Sequence, residues 1–202
     1  MFLQSPPKLI LASTSPYRRA LLERLGLPFD CSAPQVDETA QPDEAPASLA
    51  ARLARAKAER IAASEPDAWV IGSDQVAVLA GDGGARRVLG KPGTPERCIL
   101  QLLASSGRTV EFLTAVCVTR GRDGGAHEFL DTTRVRFRTL DRATVERYVE
   151  RESPLDCAGG FKCEALGIAL FESIDSSDPT ALIGLPLIRL AAALRACGYR
   201  VP

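Results

Sequence analysis

The sequence predicts a protein of mixed α and β structure, in which short apolar strands alternate with amphipathic helices. Near the N-terminus, Leu9–Ala12 form an apolar run that passes through a small polar loop into apolar residues at helical spacing. Further along, β-branched and aromatic residues recur at every second position over residues 110–118, as they do in a strand. No repeat, low-complexity tract or linker divides the chain. We therefore expect one domain over residues 1–202.

The composition argues against several classes of function. Lysine and arginine together number 25, as do aspartate and glutamate, so no global basic field favours nucleic acid as a partner. The six cysteines include no C-x-x-C pair and His127 is the single histidine, which argues against a zinc site. The N-terminal residues contain no long apolar run. We therefore expect no signal peptide and no membrane span, and a cytoplasmic protein with reduced thiols.

The first helix is predicted to begin at Ser15 and Pro16, because serine is a favourable N-cap and proline is favourable at the first helical position. Arg18 and Arg19 then fall in the first turn, where the helix dipole disfavours cations. A strand, a small polar loop and a helix N-terminus in this order also form the arrangement that binds phosphate through backbone N–H groups. The arginines therefore either face an anion or lie on a solvated helix surface.

An acidic loop and a second helix come next. Residues 31–47 are rich in proline, aspartate and glutamate, and they include Glu38. The helix that begins near Ser48 carries Lys57 on its apolar stripe rather than opposite it. Two interpretations stay open for this lysine: its stem lies along the edge of the core with the ammonium in water, or the ammonium faces an anion in a cleft.

The anomaly of the sequence is Asp74, which interrupts the apolar, strand-like run of residues 70–79. A carboxylate among β-branched residues is costly to bury unless a cation, a metal or several hydrogen-bond donors accompany it. A glycine-rich turn at residues 81–84 is predicted to join this run to a second strand as a hairpin. Pro92 ends that strand and rigidifies the backbone beside Lys91, which favours a positioned lysine.

The remaining elements follow similar local rules. Asp141 lies between Leu140 and Val145 at the spacing of a hydrophobic staple, which predicts a helix to about residue 152. Lys162 and Glu164 share a face if their segment is extended. The other predicted elements are a helix from Pro95 to Leu103, a strand at 128–138, a buried strand at Gly167–Phe171 and a helix at Pro186–Ala196.

Four basic residues thus lie where a structural account is incomplete, together with one acid in a strand: Arg18, Lys57, Lys91, Lys162 and Asp74. Several cations and a carboxylate in one cleft would bind a polyphosphate with a divalent metal. Four stretches are specific: LASTSPYRRALL at 11–22, IGSDQV at 71–76, GKP at 90–92, and the block from 157 to 187. In these stretches, in order and over nearly the whole chain, the sequence resembles the Maf family of nucleoside triphosphate pyrophosphatases.

The resemblance implies an α/β fold of the Maf/ITPase-like kind, with a mixed sheet flanked by helices and two lobes around a deep cleft, usually as a homodimer. It implies hydrolysis of the bond between the α and β phosphates, which gives a nucleoside monophosphate and pyrophosphate. A divalent metal cation, Mg or Mn, would be the cofactor. The most similar branch acts on 7-methyl-GTP rather than on dTTP and UTP. The partner would be a small-molecule nucleotide, with neither nucleic acid nor a membrane.

The resemblance also implies site residues, position by position. Asp74 would be the catalytic proton acceptor, and Glu38 would join it near the metal. The residues that would hold the phosphates are Ser13, Arg18, Lys57, Lys91 and Lys162. The positions that separate the branches of the family are Tyr17, Gln75 and Glu164.

Two of these residue types suit a methylated guanine. N7-methylation makes the ring cationic, so stacking on Tyr17 and pairing with the carboxylate of Glu164 would both favour it. Tyr17 also fits the core stripe of the first helix, which is the alternative interpretation. Asp74 and Gln75 point to opposite faces of a regular strand, so both serve one cleft only if the strand ends or bends there.

The sequence departs from the expected branch pattern at three positions. Serine is expected at Gly160 and Cys163, and glycine is expected at Ala165, so a phosphate contact by a side-chain hydroxyl in this block is in doubt. Two other functions stay open. One is a pyrophosphatase for other non-standard or pyrimidine nucleotides, and the other is a non-catalytic nucleotide-binding regulator of septum formation, linked to cell division arrest.

Overall fold

The structure, a computed structural model, describes residues 7–80, 86–122 and 124–202. In these ranges the chain forms five α-helices, seven strands and short 3-10 helices. The strands are β1 (Leu9–Ala12), β2 (Asp30–Ser32), β3 (Trp69–Ala80), β4 (Arg86–Leu89), β5 (Thr109–Arg120), β6 (Ala126–Phe137) and β7 (Phe171–Asp175). The α-helices are α1 (Pro16–Glu23), α2 (Pro46–Ala62), α3 (Pro95–Ser105), α4 (Arg142–Glu152) and α5 (Leu187–Ala196).

The strands of the described chain form one seven-stranded sheet in the order β2-β1-β3-β5-β6-β7, with β4 paired to β3. Strand β1 is parallel to both of its neighbours, and Leu11 lies opposite Ile71 of β3. The pairs β3–β4 and β6–β7 are antiparallel. The expected α/β fold with a mixed sheet is therefore confirmed.

The chain divides into two compact units. Unit 1 comprises Met1–Asp74, Thr114–Leu130 and Gly184–Pro202, and unit 2 comprises Gln75–Leu113 and Asp131–Ile183. In unit 1, the buried apolar residues include all of β1 and the inner stripe of α2. Unit 2 has a core of its own, in which Phe161 makes edge-to-face contacts with Phe112, Phe137 and Phe171.

The helix starts predicted from capping residues are confirmed. The side chains of Ser15, Thr94 and Asp141 accept hydrogen bonds from backbone N–H groups in the first turns of α1, α3 and α4. The antiparallel pairing of β3 with β4 is confirmed as well. The turn predicted at residues 81–84 lies outside the described residues.

The buried strand predicted at Gly167–Phe171 is wrong. Residues Leu166–Leu170 form a 3-10 helix, and the strand begins only at Phe171. Gly167 lies against the backbone of Lys162, where a Cβ atom would come within 2.4 Å of the carbonyl oxygen. A short apolar run cannot distinguish a strand from a helical turn, and here a close backbone contact decides in favour of the turn.

Helix α2 lies directly on the backbone of β3. At Gly72 a Cβ atom would come within 2.2 Å of the carbonyl oxygen of Ala54 and 2.6 Å of the amide nitrogen of Ala58. This close approach places Lys57, which precedes Ala58, beside the middle of the strand. Within the described ranges, every helix is too short or too polar to span a bilayer.

Candidate active site

Two carboxylates meet the ammonium group of Lys57 in unit 1. Lys57 Nζ lies 2.6 Å from Asp74 Oδ1 and 2.6 Å from Glu38 Oε1. The side chains of Lys57 and Asp74 are buried, whereas that of Glu38 is 59% exposed. Because a buried carboxylate needs a partner, Lys57 accounts for Asp74 in the sheet. Of the two interpretations of Lys57, the structure supports the ammonium that faces anions.

Arg18 is the second cation near these carboxylates. It is half-buried in α1, and its Nε donates a hydrogen bond to the carbonyl oxygen of Gly184 at 3.0 Å. Burial lowers the pKa of the Arg18 guanidinium, while the charges of Asp74 and Glu38 act in the opposite direction. The guanidinium therefore stays charged, in line with the very high pKa of arginine.

A shared acceptor fixes the position of Arg18. The carbonyl oxygen of Gly184 also accepts a hydrogen bond from Ser73 Oγ at 3.0 Å, and Ser73 is fully buried next to Asp74 in β3. Gly184 has a φ of +124°, a conformation that side-chain-bearing residues rarely adopt. Our sequence analysis missed the role of Ser73. The adjacent Asp74 and the GLPL stretch at 184–187 were its only signals, because a backbone acceptor leaves no trace in composition.

Ser13 and Tyr17 flank the start of α1. Ser13 is buried in the turn that follows β1, and its Oγ accepts a hydrogen bond from the amide of Ser15 at 3.1 Å. Tyr17 is half-buried in the first turn of the helix. The strand, the serine-rich turn and the helix N-terminus therefore occur in the order that the sequence predicts.

Lys91 and Lys162 lie in unit 2. Lys91 is exposed, and hydrogen bonds hold the backbone on both sides of it: Gln101 Nε2 donates to the carbonyl of Gly90 at 3.2 Å, and the amide of Gly93 donates to the carbonyl of Leu155 at 3.0 Å. This geometry supports a lysine with a positioned backbone.

Lys162 is held at the C-terminal end of α4. Its Nζ donates a hydrogen bond to the carbonyl oxygen of Glu152 at 3.0 Å, where the helix dipole favours a cation. Its amide donates to the hydroxyl of Tyr148 at 3.0 Å, and burial raises the pKa of that hydroxyl. Tyr148 is a second residue that the sequence analysis missed, because its helical spacing is that of an ordinary core aromatic.

Glu164 borders a cavity of about 370 Å³ within unit 2. Its walls are mainly apolar and include Ile168, Ile174, Pro179 and Leu182. Glu164 is exposed, and it is the one acidic residue among the described residues that line this cavity. The cavity thus combines apolar walls with a negative charge.

Gln75 supports one wall of this cavity. Its Nε2 donates hydrogen bonds at 3.1 Å to the carbonyl oxygens of both Ala181 and Leu182. Asp74 and Gln75 therefore contact different elements, Lys57 of α2 and the 181–182 turn. This agrees with the alternation of side chains along a continuous strand β3.

One of the departures from the branch pattern has a structural explanation. Gly160 has a φ of +74°, and a Cβ atom there would lie 3.0 Å from Cys98 Sγ, so glycine suits the position. Burial, followed by the charge of Glu164, raises the pKa of the Cys163 thiol to about 12. Nothing in the structure explains alanine at position 165.

The donor set can be compared with the needs of a divalent metal. Among the residues that the structure describes, no group of three or more His, Cys, Asp or Glu side chains could hold a metal ion. Asp74 and Glu38 nevertheless converge on one cationic centre, the ammonium of Lys57. Mg²⁺ is typically bound by one or two carboxylates together with substrate phosphates, so this pair fits a metal that arrives with a nucleotide.

The structure thus brings Glu38, Lys57 and Asp74 together directly, with Arg18 within electrostatic reach of both acids. Gln75, Lys91, Lys162 and Glu164 belong to unit 2. Gln75 donates a hydrogen bond to the carbonyl of Leu182, which lines the cavity together with Glu164.

Comparison with known proteins gives a consistent result. A 7-methyl-GTP pyrophosphatase of Xanthomonas axonopodis pv. citri is 57% identical over 97% of this chain and 100% of its own length. That of Nitrosococcus oceani is 50% identical over 98% of this chain and 96% of its own. Among solved structures, the Staphylococcus aureus Ham1 protein aligns with a TM-score of 0.44 and 18% identity over 64% of this chain and 71% of that one, too low to support an argument. The profile of the Maf-like protein family matches residues 8–197, and the chain therefore belongs to the Maf family.

Proposed function

We propose that this protein is a nucleoside triphosphate pyrophosphatase that hydrolyses 7-methyl-GTP to 7-methyl-GMP and pyrophosphate. The observation that carries the proposal is the meeting of Asp74 and Glu38 at Lys57, beside the charged Arg18. Relatives that are 50–57% identical over almost their full length are named 7-methyl-GTP pyrophosphatases, which supports the substrate.

Asp74 is the proposed proton acceptor for the water that attacks the phosphoryl group. Lys57 holds its carboxylate in one orientation, and a general base must be held within reach of the proton that it removes. Arg18 and Lys57 supply positive charge for the phosphoryl oxygens, where negative charge accumulates during the reaction. Ser13, at the start of α1, and Lys91 and Lys162 of unit 2 complete the proposed set of phosphate contacts.

A divalent metal, Mg or Mn, is part of the proposal. Asp74 and Glu38 would hold it, because their oxygen atoms suit a hard cation. When bound, the metal supplies charge neutralisation for the phosphate oxygens. The side chains of the protein would still orient the water and accept its proton.

We assign the methylated base to the cavity beside Glu164. Its volume of about 370 Å³ is in the usual range for a small-molecule site. The apolar walls suit a planar ring with a methyl group, and the carboxylate of Glu164 suits its positive charge. Stacking of the base on Tyr17 stays a prediction from the sequence. Neutral bases would gain no pairing with Glu164, so the preference follows from charge.

Pyrophosphate release measured across 7-methyl-GTP, GTP, ITP, UTP and dTTP, with and without Mg or Mn, tests this function. We expect the highest kcat/KM for 7-methyl-GTP, loss of turnover after chelation, and pyrophosphate rather than orthophosphate as product. Equal turnover of all five would overturn the substrate assignment. Nucleotide binding without turnover would favour the regulator. The homodimer and the cytoplasmic location stay predictions, and light scattering of the purified protein checks the first.

A further inference from the structure

The segment of residues 176–183 forms one wall of the cavity in unit 2, to which it contributes Ser176, Pro179 and Leu182. It begins where the pairing of β6 with β7 ends, since the last paired residues are Arg134 and Asp175. Continued in register, the next positions of β6 would face this segment. Those positions include Thr133 and Asp131, which are both buried.

Beyond Arg134 and Asp175, side chains of β6 rather than backbone hydrogen bonds contact the segment. The hydroxyl oxygens of Thr133 and Ser176 lie 2.8 Å apart. Two residues further along β6, Asp131 Oδ2 accepts a hydrogen bond from Ser177 Oγ at 2.6 Å. Thr133 and Asp131 are 0% and 3% exposed, so each contact joins a buried side chain of β6 to a serine nearer the surface and restricts the geometry of the segment.

The rest of the segment is fixed by its own hydrogen bonds and by β3. Asp178 Oδ1 accepts hydrogen bonds from the amide and the hydroxyl of Thr180, at 2.8 Å and 2.6 Å. Ser176 Oγ donates to the carbonyl of Asp178 at 2.8 Å, and Gln75 holds the carbonyls of Ala181 and Leu182. The cavity wall is therefore tied to β6 at its start and to β3 at its end.

Apolar residues would fill the two β6 positions without the cost of burying polar groups. A fully satisfied polar network specifies one geometry of the segment, whereas apolar packing would allow several. Discrimination between similar bases depends on such a fixed geometry, since a displacement of a pocket wall changes the contacts with every base.

We propose that Thr133 and Asp131 are positioning residues for base selection, which act by holding the 176–183 segment against the cavity. They touch neither the substrate nor the reacting atoms. The inference rests on the proposed function, because it assumes that this cavity receives the base.

The test compares Thr133→Val, which removes the hydroxyl at nearly constant volume, with Thr133→Ser, which retains it. We expect Thr133→Val to reduce the ratio of kcat/KM between the preferred nucleotide and the others by about fivefold, the effect of one hydrogen bond, mainly through KM. Thr133→Ser should restore the ratio. Thr132→Val, a neighbour on the other face of β6, is the matched control and should keep the wild-type ratio.

Hydrogen exchange gives a second measurement. The amides of 176–183 should exchange faster in Thr133→Val than in the wild type, and those of α2 should not. If Thr133→Val fails to fold, Ser176→Ala is the alternative variant. Ser176 is the half-buried partner in the same contact, so its loss should reduce the ratio of kcat/KM between nucleotides in the same way.

The two proposals fail in different ways. A wild-type enzyme that prefers another nucleotide overturns the assignment of 7-methyl-GTP. If Thr133→Val then lowers the ratio of kcat/KM between that preferred nucleotide and the others, the positioning role is still supported. An unchanged ratio with unchanged exchange in Thr133→Val overturns the positioning role alone. A wild-type enzyme without any base preference overturns both.

Discussion

Lys57 Nζ lies 2.6 Å from Asp74 Oδ1, and the two side chains are only 8% and 11% exposed. Removing two charges from water is costly, and a buried ion pair is often no more stabilising than apolar residues of similar size. Its presence at the centre of a sheet therefore favours a functional role over a structural one. The pair gives the acid a fixed orientation at the centre of the candidate site.

Replacement of Asp74 by asparagine should abolish turnover and leave nucleotide binding largely intact. The amide keeps the shape of the side chain but cannot accept the proton of the attacking water, so we expect kcat to fall by at least about 10²-fold. Pyrophosphate release measures the first effect, and the thermal shift caused by nucleotide measures the second. Asp67→Asn is the control, because Asp67 forms an exposed pair with Arg122. Turnover near the wild-type level in Asp74→Asn would contradict the role.

Replacement of Lys57 by methionine should destabilise the protein by about 3–5 kcal/mol, because Asp74 is left buried without its cation. Urea unfolding at neutral pH gives the free energy of unfolding. Lys8→Met serves as the comparison, since Lys8 makes exposed ion pairs with Glu65 and Asp30 and its loss should be barely measurable. If both changes lowered the free energy of unfolding equally, burial of the Lys57–Asp74 pair would not affect its contribution to stability.

Replacement of Gly72 by alanine should be strongly destabilising, by about 3 kcal/mol or more, because the new Cβ would overlap the backbone of α2. Gly90→Ala is the matched change, since a Cβ there meets no atom within 4 Å. Chemical unfolding of both variants measures the difference. A Gly72→Ala protein as stable as Gly90→Ala would contradict the close packing of α2 on β3.

The thiol of Cys163 should react slowly even though it borders the cavity. Its pKa is raised to about 12, so almost no thiolate exists at pH 8. Cys31 is exposed, and we expect iodoacetamide to modify it first. Peptide mass spectrometry over time gives both rates, with Cys163 slower by roughly tenfold or more. Similar rates for the two thiols would contradict the raised pKa of Cys163.

The N-cap of α4 should make stability depend on pH. Hydrogen bonding to the amide of Thr144 lowers the pKa of Asp141 in the folded protein. The cap therefore contributes stability above the unfolded pKa of aspartate, and the contribution is lost as the pH falls through the lower folded pKa. Asp141→Ala should lower the Tm by a few degrees at pH 7 and by less at pH 3. Asp141→Asn keeps the cap, so its Tm at pH 7 should stay close to that of the wild type.

The parts of this structure that depend on neighbouring residues could be predicted from the sequence. The N-caps at Ser15 and Asp141 and the helix start at Pro95 follow from residue type and spacing alone. The anomalous positions of Lys57 and Asp74 also indicated that each needs a partner, and they proved to be partners of one another.

Interactions of side chains with backbone atoms could not be predicted from the sequence. The carbonyl of Gly184 positions Arg18 and Ser73, and the carbonyls of Ala181 and Leu182 bind Gln75. Carbonyl groups occur at every residue, so no pattern marks the ones that matter. The strand wrongly predicted at Gly167–Phe171 is a similar case, since Gly167 packs against the backbone of Lys162, and the apolar pattern of residues 167–171 does not record this contact.

The contact between α2 and β3 at Gly72 bears on how this enzyme could be redesigned. Main-chain atoms set the separation of helix and strand there, so the backbone positions that carry Lys57 and Asp74 are fixed relative to each other. Engineering aimed at new nucleotides could therefore vary the cavity beside Glu164 extensively while the chemical step keeps its geometry. The reaction and the choice of base would then be separable traits of one scaffold.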